Sequence, residues 1–400
     1  MCFKLREDMT RLENHHFSLN RILLRAIGLW PYEQSKFFRL HFILFSGILI
    51  SAIIFQLTAF LTTRCTPDLI LKVFSIVFIF CIFLLQYVSF GINVESVKEL
   101  LIYLQDIRDE LKDKNEIAIT DEYGRDAKLC TAVLTMISIV GTFLIAITQV
   151  WSDVLNVILQ INVSRSHNVP IITEYFISQE KYYYLIMLHQ TTAVYIGVFT
   201  TVAIGTMLIA FYHNICGVFR IASYRIKHSI IFNMIQNSIK NEALISARII
   251  CAVDFHRRAM ELTRSMVSTL QVMYCCLILF GVAALSLNLF RICQIATLKI
   301  DFMEMIIPLL MILIVIMYMY IANYLGQEVM DHCKDVFLNA YNSQWYIAPL
   351  RVQGLILFLL ERGSTEFKLN VGGLYNASLE GFAMLVKASV SYFTVIYSTR

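Results

Sequence analysis

Seven apolar runs, each long enough to cross a bilayer as a helix, alternate with segments that turn abruptly polar. The runs are Phe38 to Leu61, Leu69 to Ile92, Leu129 to Trp151, Tyr182 to Phe211, Ser265 to Phe290, Phe302 to Tyr324 and, closing the chain, Leu379 to Thr399. Residues 94–128 read as a solvated helical hairpin. In 212–262, Ile215, Phe219, Ala222, Ile226 and Ile230 recur at helical spacing among Arg220, Arg225, Lys227 and His228. Spans four and five are therefore expected to continue as helices well past the membrane. The pattern predicts an all-α membrane protein of seven transmembrane helices. It divides into an N-terminal segment (1–37), spans one to six with their extensions (38–324), a polar, partly amphipathic block ending at Gly372-Gly373 (325–377) and a last span (378–400).

Composition agrees: 58% of residues are hydrophobic and 16% charged, against ~45–50% and ~25% in ordinary globular domains. The first 37 residues lack the charged start, apolar core and small-residue cleavage site of a secretory signal, so the first span is expected to direct insertion itself. Ten cysteines include no CxxC pair and suit small buried apolar residues. Cys65 and Cys293 both fall in loops on one side and are candidates for a disulfide.

Charge placement sets the orientation. Of 33 Lys and Arg, seven lie in 1–39, six in 98–128, eight in 220–264 and four in 334–368. The opposite side carries seven, and Lys387 lies within the last span. Positive charge marks the cytosolic face, so the N-terminus is expected inside and the C-terminus outside, the reverse of a G-protein-coupled receptor. The sequon Asn162-Val163-Ser164 then falls outside, where Asn162 is a candidate glycosylation site.

Catalytic chemistry has no support. Nine histidines show no HExxH and no metal-ligand spacing, and there is no phosphate-binding glycine loop or GxSxG elbow. Nothing points to a cofactor, a metal or a nucleic acid. His189, in span four, is the histidine set further into a span, with Gln190 as its expected polar partner. The last span is the chemically unusual one. Ser389, Ser391, Thr394, Ser398 and Thr399 thread an apolar helix, as suits a span with protein or water on one side. Ser391, Val395 and Thr399 share a face at i, i+4 spacing, where a ring of valines can gate by dewetting. The alternative is an anchor whose hydroxyls bond back to its own carbonyls. Lys387 is expected to snorkel or to pair with Glu380.

Several stretches resemble the insect odorant receptor family. Ile27-Gly28-Leu29-Trp30-Pro31 is similar to a short motif before its first span. Ala340-Tyr341-Asn342-Ser343-Gln344-Trp345-Tyr346 resembles its tyrosine and tryptophan block. Leu379-Glu380-Gly381-Phe382 and Lys387-Ala388-Ser389-Val390-Ser391-Tyr392-Phe393-Thr394-Val395 resemble its terminus. Gustatory relatives usually end in a Tyr followed by a Gln-Phe pair, which is not found here. The resemblance implies a ligand-tuning subunit, rather than the shared co-receptor, of a plasma-membrane heterotetramer gated by a small volatile organic ligand and passing cations. It also implies that cytosolic extensions form a central anchor domain and that the last span lines the pore. The gate would then fall at Val395, with Ser391 and Thr399 one turn to either side.

An odorant needs an apolar, aromatic pocket with few polar groups. The outer halves of four spans supply candidates. Span two gives Phe74, Val77, Phe78 and Cys81, and span three gives Ser138, Gly141, Thr142, Ile145 and Gln149. Span four gives Tyr183, Tyr184, Met187 and Thr191, and span six gives Met305, Leu309 and Ile312. A gustatory-type channel is the alternative within the fold. A secondary transporter is the alternative outside it, weakened by the absence of an internal repeat and by scarce mid-membrane acids.

Overall fold

The computed structural model describes residues 17–33, 36–159, 171–179, 181–235, 240–298, 302–373 and 375–398. Asn162 and Thr399 lie outside the described residues, as do the side chains of Ile145 and Gln149. The helices are α1 (Ser18–Ala26), α2 (Lys36–Leu57), α3 (Ala59–Thr62), α4 (Pro67–Ile92), α5 (Val94–Asp109), α6 (Lys114–Leu159), α7 (Tyr183–Ile235), α8 (Lys240–Thr269), α9 (Gln271–Leu298), α10 (Phe302–Asn342), α11 (Leu350–Gly363) and α12 (Leu379–Ser398). A two-stranded hairpin, β1 (Asn370–Val371) and β2 (Tyr375–Asn376), precedes α12.

Seven of these helices are long and apolar enough to span a membrane, as the hydropathy pattern requires. Three run far beyond it: α6, α7 and α10 contain 46, 53 and 41 residues. At ~1.5 Å per residue they measure roughly 60–80 Å, twice the ~30 Å hydrocarbon layer. Their excess lengths gather with α1, α5, α8 and α11 at one end of the bundle, called here the extended end.

The spine is α7. Burial covers 61% of its apolar window, against 11% for that of α6. It packs against α6, α8, α10, α4, α2 and α1. A second layer is built on α9, which touches α4, α10 and α12 around Ile79, Ala284, Leu285, Ile312, Val315, Met319 and Leu385. By contrast, Leu40, Ile43 and Leu44 of α2 and Met136, Ile137 and Phe143 of α6 face outward at 53–67% exposure. So large an apolar face is stable only against lipid or another protein.

Residues 17–30 of the N-terminal segment dock into the core. Phe17, Leu24, Ile27, Leu29 and Trp30 are each at most 2% exposed. Asn20 Nδ2 donates to Thr206 Oγ1 at 3.1 Å. The hydroxyl of Tyr87, on α4, donates to the Ile27 carbonyl at 3.0 Å. The chain turns at Gly28 with φ +71°, and a Cβ there would stand 2.9 Å from that of His41.

Three expectations change. The 94–128 hairpin is not simply solvated, because α5 buries Val97, Leu101, Leu104 and Ile107, and it packs on α8. Span five begins at Gln271 rather than Ser265, because the helix breaks at Leu270. Cys65 and Cys293 remain free thiols.

Ion pairs fasten the extended end. Arg225 meets Glu116 through two bonds, Nε to Oε1 at 2.6 Å and Nη2 to Oε2 at 2.8 Å, while its guanidinium lies 3.8 Å from the ring centre of Phe255. Arg258 bonds both Glu110 oxygens at 2.8 Å. His256 is buried edge-on to Phe219 and Phe337, its Nε2 3.2 Å from Cys333 Sγ. Burial pushes this imidazole down to about 4, so it stays neutral at physiological pH.

Candidate functional site

The last span is delivered to the bundle by a clamp on α10. β1 and β2 pair antiparallel, Asn370 with Asn376 and Val371 with Tyr375. The turn between them uses Gly372 and Gly373 at φ +66° and +75°, a region that glycine enters without penalty. The side chain of Asn323, 4% exposed, takes up the chain beyond. Its Oδ1 accepts from the Tyr375 hydroxyl and from the Ser378 amide (3.2 Å), and its Nδ2 donates to the Met319 carbonyl at 2.9 Å. Gln327 Oε1 accepts from the Leu379 amide at 3.4 Å, and Ser378 Oγ accepts from the Gly381 amide at 3.0 Å. Burial pushes the Tyr375 phenol up to about 12, so it remains a donor across physiological pH.

From there α12 has two unlike faces. Gly381, Leu385 and Ser389 are buried toward the rest of the protomer, and Ser286 Oγ donates to the Ser389 carbonyl at 2.9 Å. Lys387, Ser391, Thr394, Val395 and Ser398 are exposed, Val395 at 55%. Hydroxyls on the exposed face are partly satisfied by their own helix: Thr394 donates to the Ser391 carbonyl at 2.7 Å and Ser398 to that of Val395 at 3.0 Å. The back-bonding expected of an anchor is therefore present, on an amphipathic span. No ion pair joins Lys387 to Glu380 among the described residues; two helical turns separate them.

The ligand candidates are only partly gathered. Phe74 and Phe78 lie in a row of tilted rings with Phe60 and Phe280 at centroid spacings of 5.7–5.8 Å, and Val77 on the same helix is buried. Phe78 packs on the cluster that holds Ile312. Cys81, Ser138, Thr142, Met187, Thr191 and Met305 are half-buried and Tyr183 is buried. A Cβ added at Gly141 would meet nothing within 4 Å. Thr142 is joined to α7 through its carbonyl, which accepts from Tyr195 at 3.3 Å. Tyr184 and Leu309 are 68% and 55% exposed, though the Tyr184 ring meets that of Tyr183 edge-on at 5.4 Å.

A polar network at the non-extended end had only one legible member. His189 Nε2 is 2.9 Å from Ser51 Oγ, and its Nδ1 is 2.8 Å from the Tyr175 hydroxyl. Gln190 instead donates to Thr173 Oγ1 at 2.6 Å. Adjacent helical residues point about 100° apart, so Gln190 cannot serve His189. Phe55 stacks on Tyr175 at 4.2 Å, and Thr58 donates to the Glu174 carbonyl at 2.7 Å. Segment 171–179 is thus pinned to the ends of α2 and α7. Burial pushes Tyr175 up to about 12.

The arrangement defines a class first: a seven-span helical membrane protein with a docked N-terminal segment, a large helical assembly at one end and a clamped, amphipathic last span. The family profile described as "7tm Odorant receptor" matches residues 66–390. The chain belongs to the insect odorant receptor family. Odorant receptor 10 of Aedes albopictus is 25% identical over 93 residues, which cover 23% of this chain and a quarter of that receptor's length. Two structures of the olfactory receptor OR5 from Machilis hrabei, one of them in complex with eugenol, are similar across nearly the whole chain. Each is 15% identical, and the TM-scores are 0.74 and 0.76. The first covers 100% of this chain and 99% of its own; the second, the eugenol complex, covers 98% and 100%.

Proposed function

We propose that this chain is a ligand-tuning subunit of an odorant-gated, non-selective cation channel, assembled with a co-receptor in a heterotetramer of the plasma membrane of sensory neurons. The observation that carries the reading is the division of α12. One side is buried against the protomer, and the other, with Ser391, Thr394, Val395 and Ser398, is exposed among the described residues. Four such helices around one axis would place Val395 at a narrow apolar ring, with Ser391 and Thr399 as hydroxyl rings on either side. The extended end, where most Lys and Arg lie, faces the cytosol, forms the anchor between subunits and leaves the C-terminus outside.

A volatile ligand binds in the outer half between α4, α6, α7 and α10. Phe74, Val77, Phe78, Cys81, Ser138, Gly141, Thr142, Tyr183, Met187, Thr191, Met305 and Ile312 form its surroundings, with the more exposed Tyr184 and Leu309 at its rim; Ile145 and Gln149 are assigned to the same site by sequence alone. That a solved structure of the same fold is named as a eugenol complex supports a small aromatic volatile as the ligand class. The test is an odorant panel on cells expressing this chain with a co-receptor. Currents should follow odorant within seconds without G-protein signalling. Substitution of Val395 should alter conduction for every odorant, and substitution of Met187 should re-rank odorants. Current that depends on a G protein, or solute uptake without conductance, overturns the channel.

A further inference from the structure

A hollow of about 380 Å³ opens where the N-terminal turn meets the first turn of α2 and the last turn of α4. Its walls are Leu29, Trp30, Phe38, Phe42 and Ile43, and its one charged lining residue is Arg39. Two glycines shape it. Gly28 adopts the left-handed turn, and Gly91 lets the Phe42 ring press against the α4 backbone, where any Cβ would collide with it. The position is the membrane boundary, because α2 and α4 have their span-terminal residues here. Ile43, at 67% exposure, opens the hollow toward the lipid side.

The electrostatics are unbalanced. Helix α2 has no acidic residue in its first turn and carries Lys36 and Arg39 there, at the end where the helix dipole is already positive. Among the described residues, the acids adjoining this hollow in sequence pair elsewhere: Glu33 with Arg25, and Glu95 with Lys98 at 3.5 Å. Arg39 has no ion-pair partner among the described residues. An exposed helix start with two cations and no anion favours an external anion, and the apolar walls beside it favour a chain. We propose that this hollow binds an anionic phospholipid, its phosphate on Arg39 and the start of its acyl chain against Phe42, Ile43 and Trp30. The guanidinium fork suits a phosphate ester, and an apolar-walled hollow open to the bilayer is filled from the bilayer. The inference stands on the membrane spans and does not rest on the channel reading.

Trp30 reports on the site, since the chain has only three tryptophans. The full-length receptor carrying W151F and W345F is reconstituted into phosphatidylcholine vesicles. Part of the lipid is replaced by dibrominated phosphatidylglycerol or dibrominated phosphatidylcholine, and quenching of Trp30 is followed. Brominated phosphatidylglycerol should reach half-maximal quenching at about tenfold lower mole fraction, the effect of one charge-assisted pair. R39Q should abolish that preference and R39K should retain most of it. Equal quenching by both lipids, or a preference unchanged in R39Q, overturns the proposal. Should R39Q not fold, a preference kept in full by R39K but lost in K36Q overturns it as well, because Lys36 rather than Arg39 would then be what selects. Millimolar glycerol phosphate should leave the quenching intact; displacement by it would mean a site for soluble anions and would also overturn the lipid assignment.

Discussion

Removing the Glu116 carboxylate should be among the most damaging single changes at the extended end. Glu116 and Arg225 are 8% and 15% exposed at the side chain, joined by two bonds of 2.6 and 2.8 Å. In Glu116→Ala the guanidinium keeps Phe255 and its 3.0 Å contact to Cys251 Sγ but loses its counter-charge. Breaking a buried pair from one side destabilises by about 3–5 kcal/mol, mostly because the remaining charge is stranded. Arg225→Ala strands the carboxylate and also forfeits the ring contact, ~1–2 kcal/mol more. Replacing both with apolar residues, Glu116→Leu with Arg225→Met, strands neither and should lie within about 1 kcal/mol of the parent. With the single Glu116→Leu and Arg225→Met variants, which strand the same charges, completing the cycle, the signature is non-additivity of at least about 3 kcal/mol. Unfolding of the purified receptor by dodecyl sulfate titration in mixed micelles, followed by tryptophan fluorescence, measures these variants against the parent. Single variants within about 0.5 kcal/mol of the parent, or additive effects, would refute the view that this pair ties α6 to α7.

Other expectations follow from the same reasoning. His256 is held neutral with a folded value of about 4 against an ordinary 6.5, so the unfolded chain binds the proton more readily. Its contribution is full above pH 6.5 and is lost progressively as pH falls toward 4, by up to about 3 kcal/mol, and a His256→Phe variant should show a flatter pH profile over that window. Gly28→Ala forces an alanine to φ +71° with its Cβ 2.9 Å from that of His41, and should lower the thermal midpoint in micelles by an amount equivalent to about 1–3 kcal/mol. His189→Phe removes both hydrogen bonds that reach Ser51 and Tyr175; amide exchange in 171–179 should accelerate by about tenfold or more, while exchange in α8 stays unchanged. In cysteine-scanning of α12, Ser391→Cys and Val395→Cys should be blocked by a charged thiol reagent applied from the C-terminal side, and Leu385→Cys should not.

The spans were legible because a bilayer leaves the chain few options: twenty apolar residues in a row must be helical there. The amphipathic stretch after span four announced the long α7 for a similar reason, since Ile215, Phe219, Ala222 and Ile226 repeat at helical spacing and all prove fully buried. The docking of Trp30 was not legible; it depends on Tyr87, sixty residues away, reaching the Ile27 carbonyl. The partners of His189 were missed because hydrogen-bond partners follow from packing rather than from sequence adjacency. Asn323 reads as one polar residue at the end of an apolar run, and nothing local shows that it receives the chain fifty residues on. Side-chain direction explains the ligand candidates too. Span membership placed Phe74 and Phe78 inside, whereas the rotation that turns Tyr184 and Leu309 outward is set by neighbours that a periodicity does not name.

The Asn323 clamp has a mechanical consequence. One carboxamide, rooted on the middle of α10, grips the backbone where the final span begins, and Gln327 one turn along takes hold of Leu379. The base of that span is thereby an axle mounted on its neighbour. Tilting the far tip leaves the axle in place, but shifting the base drags α10 with it, and through α10 the full depth of the bundle.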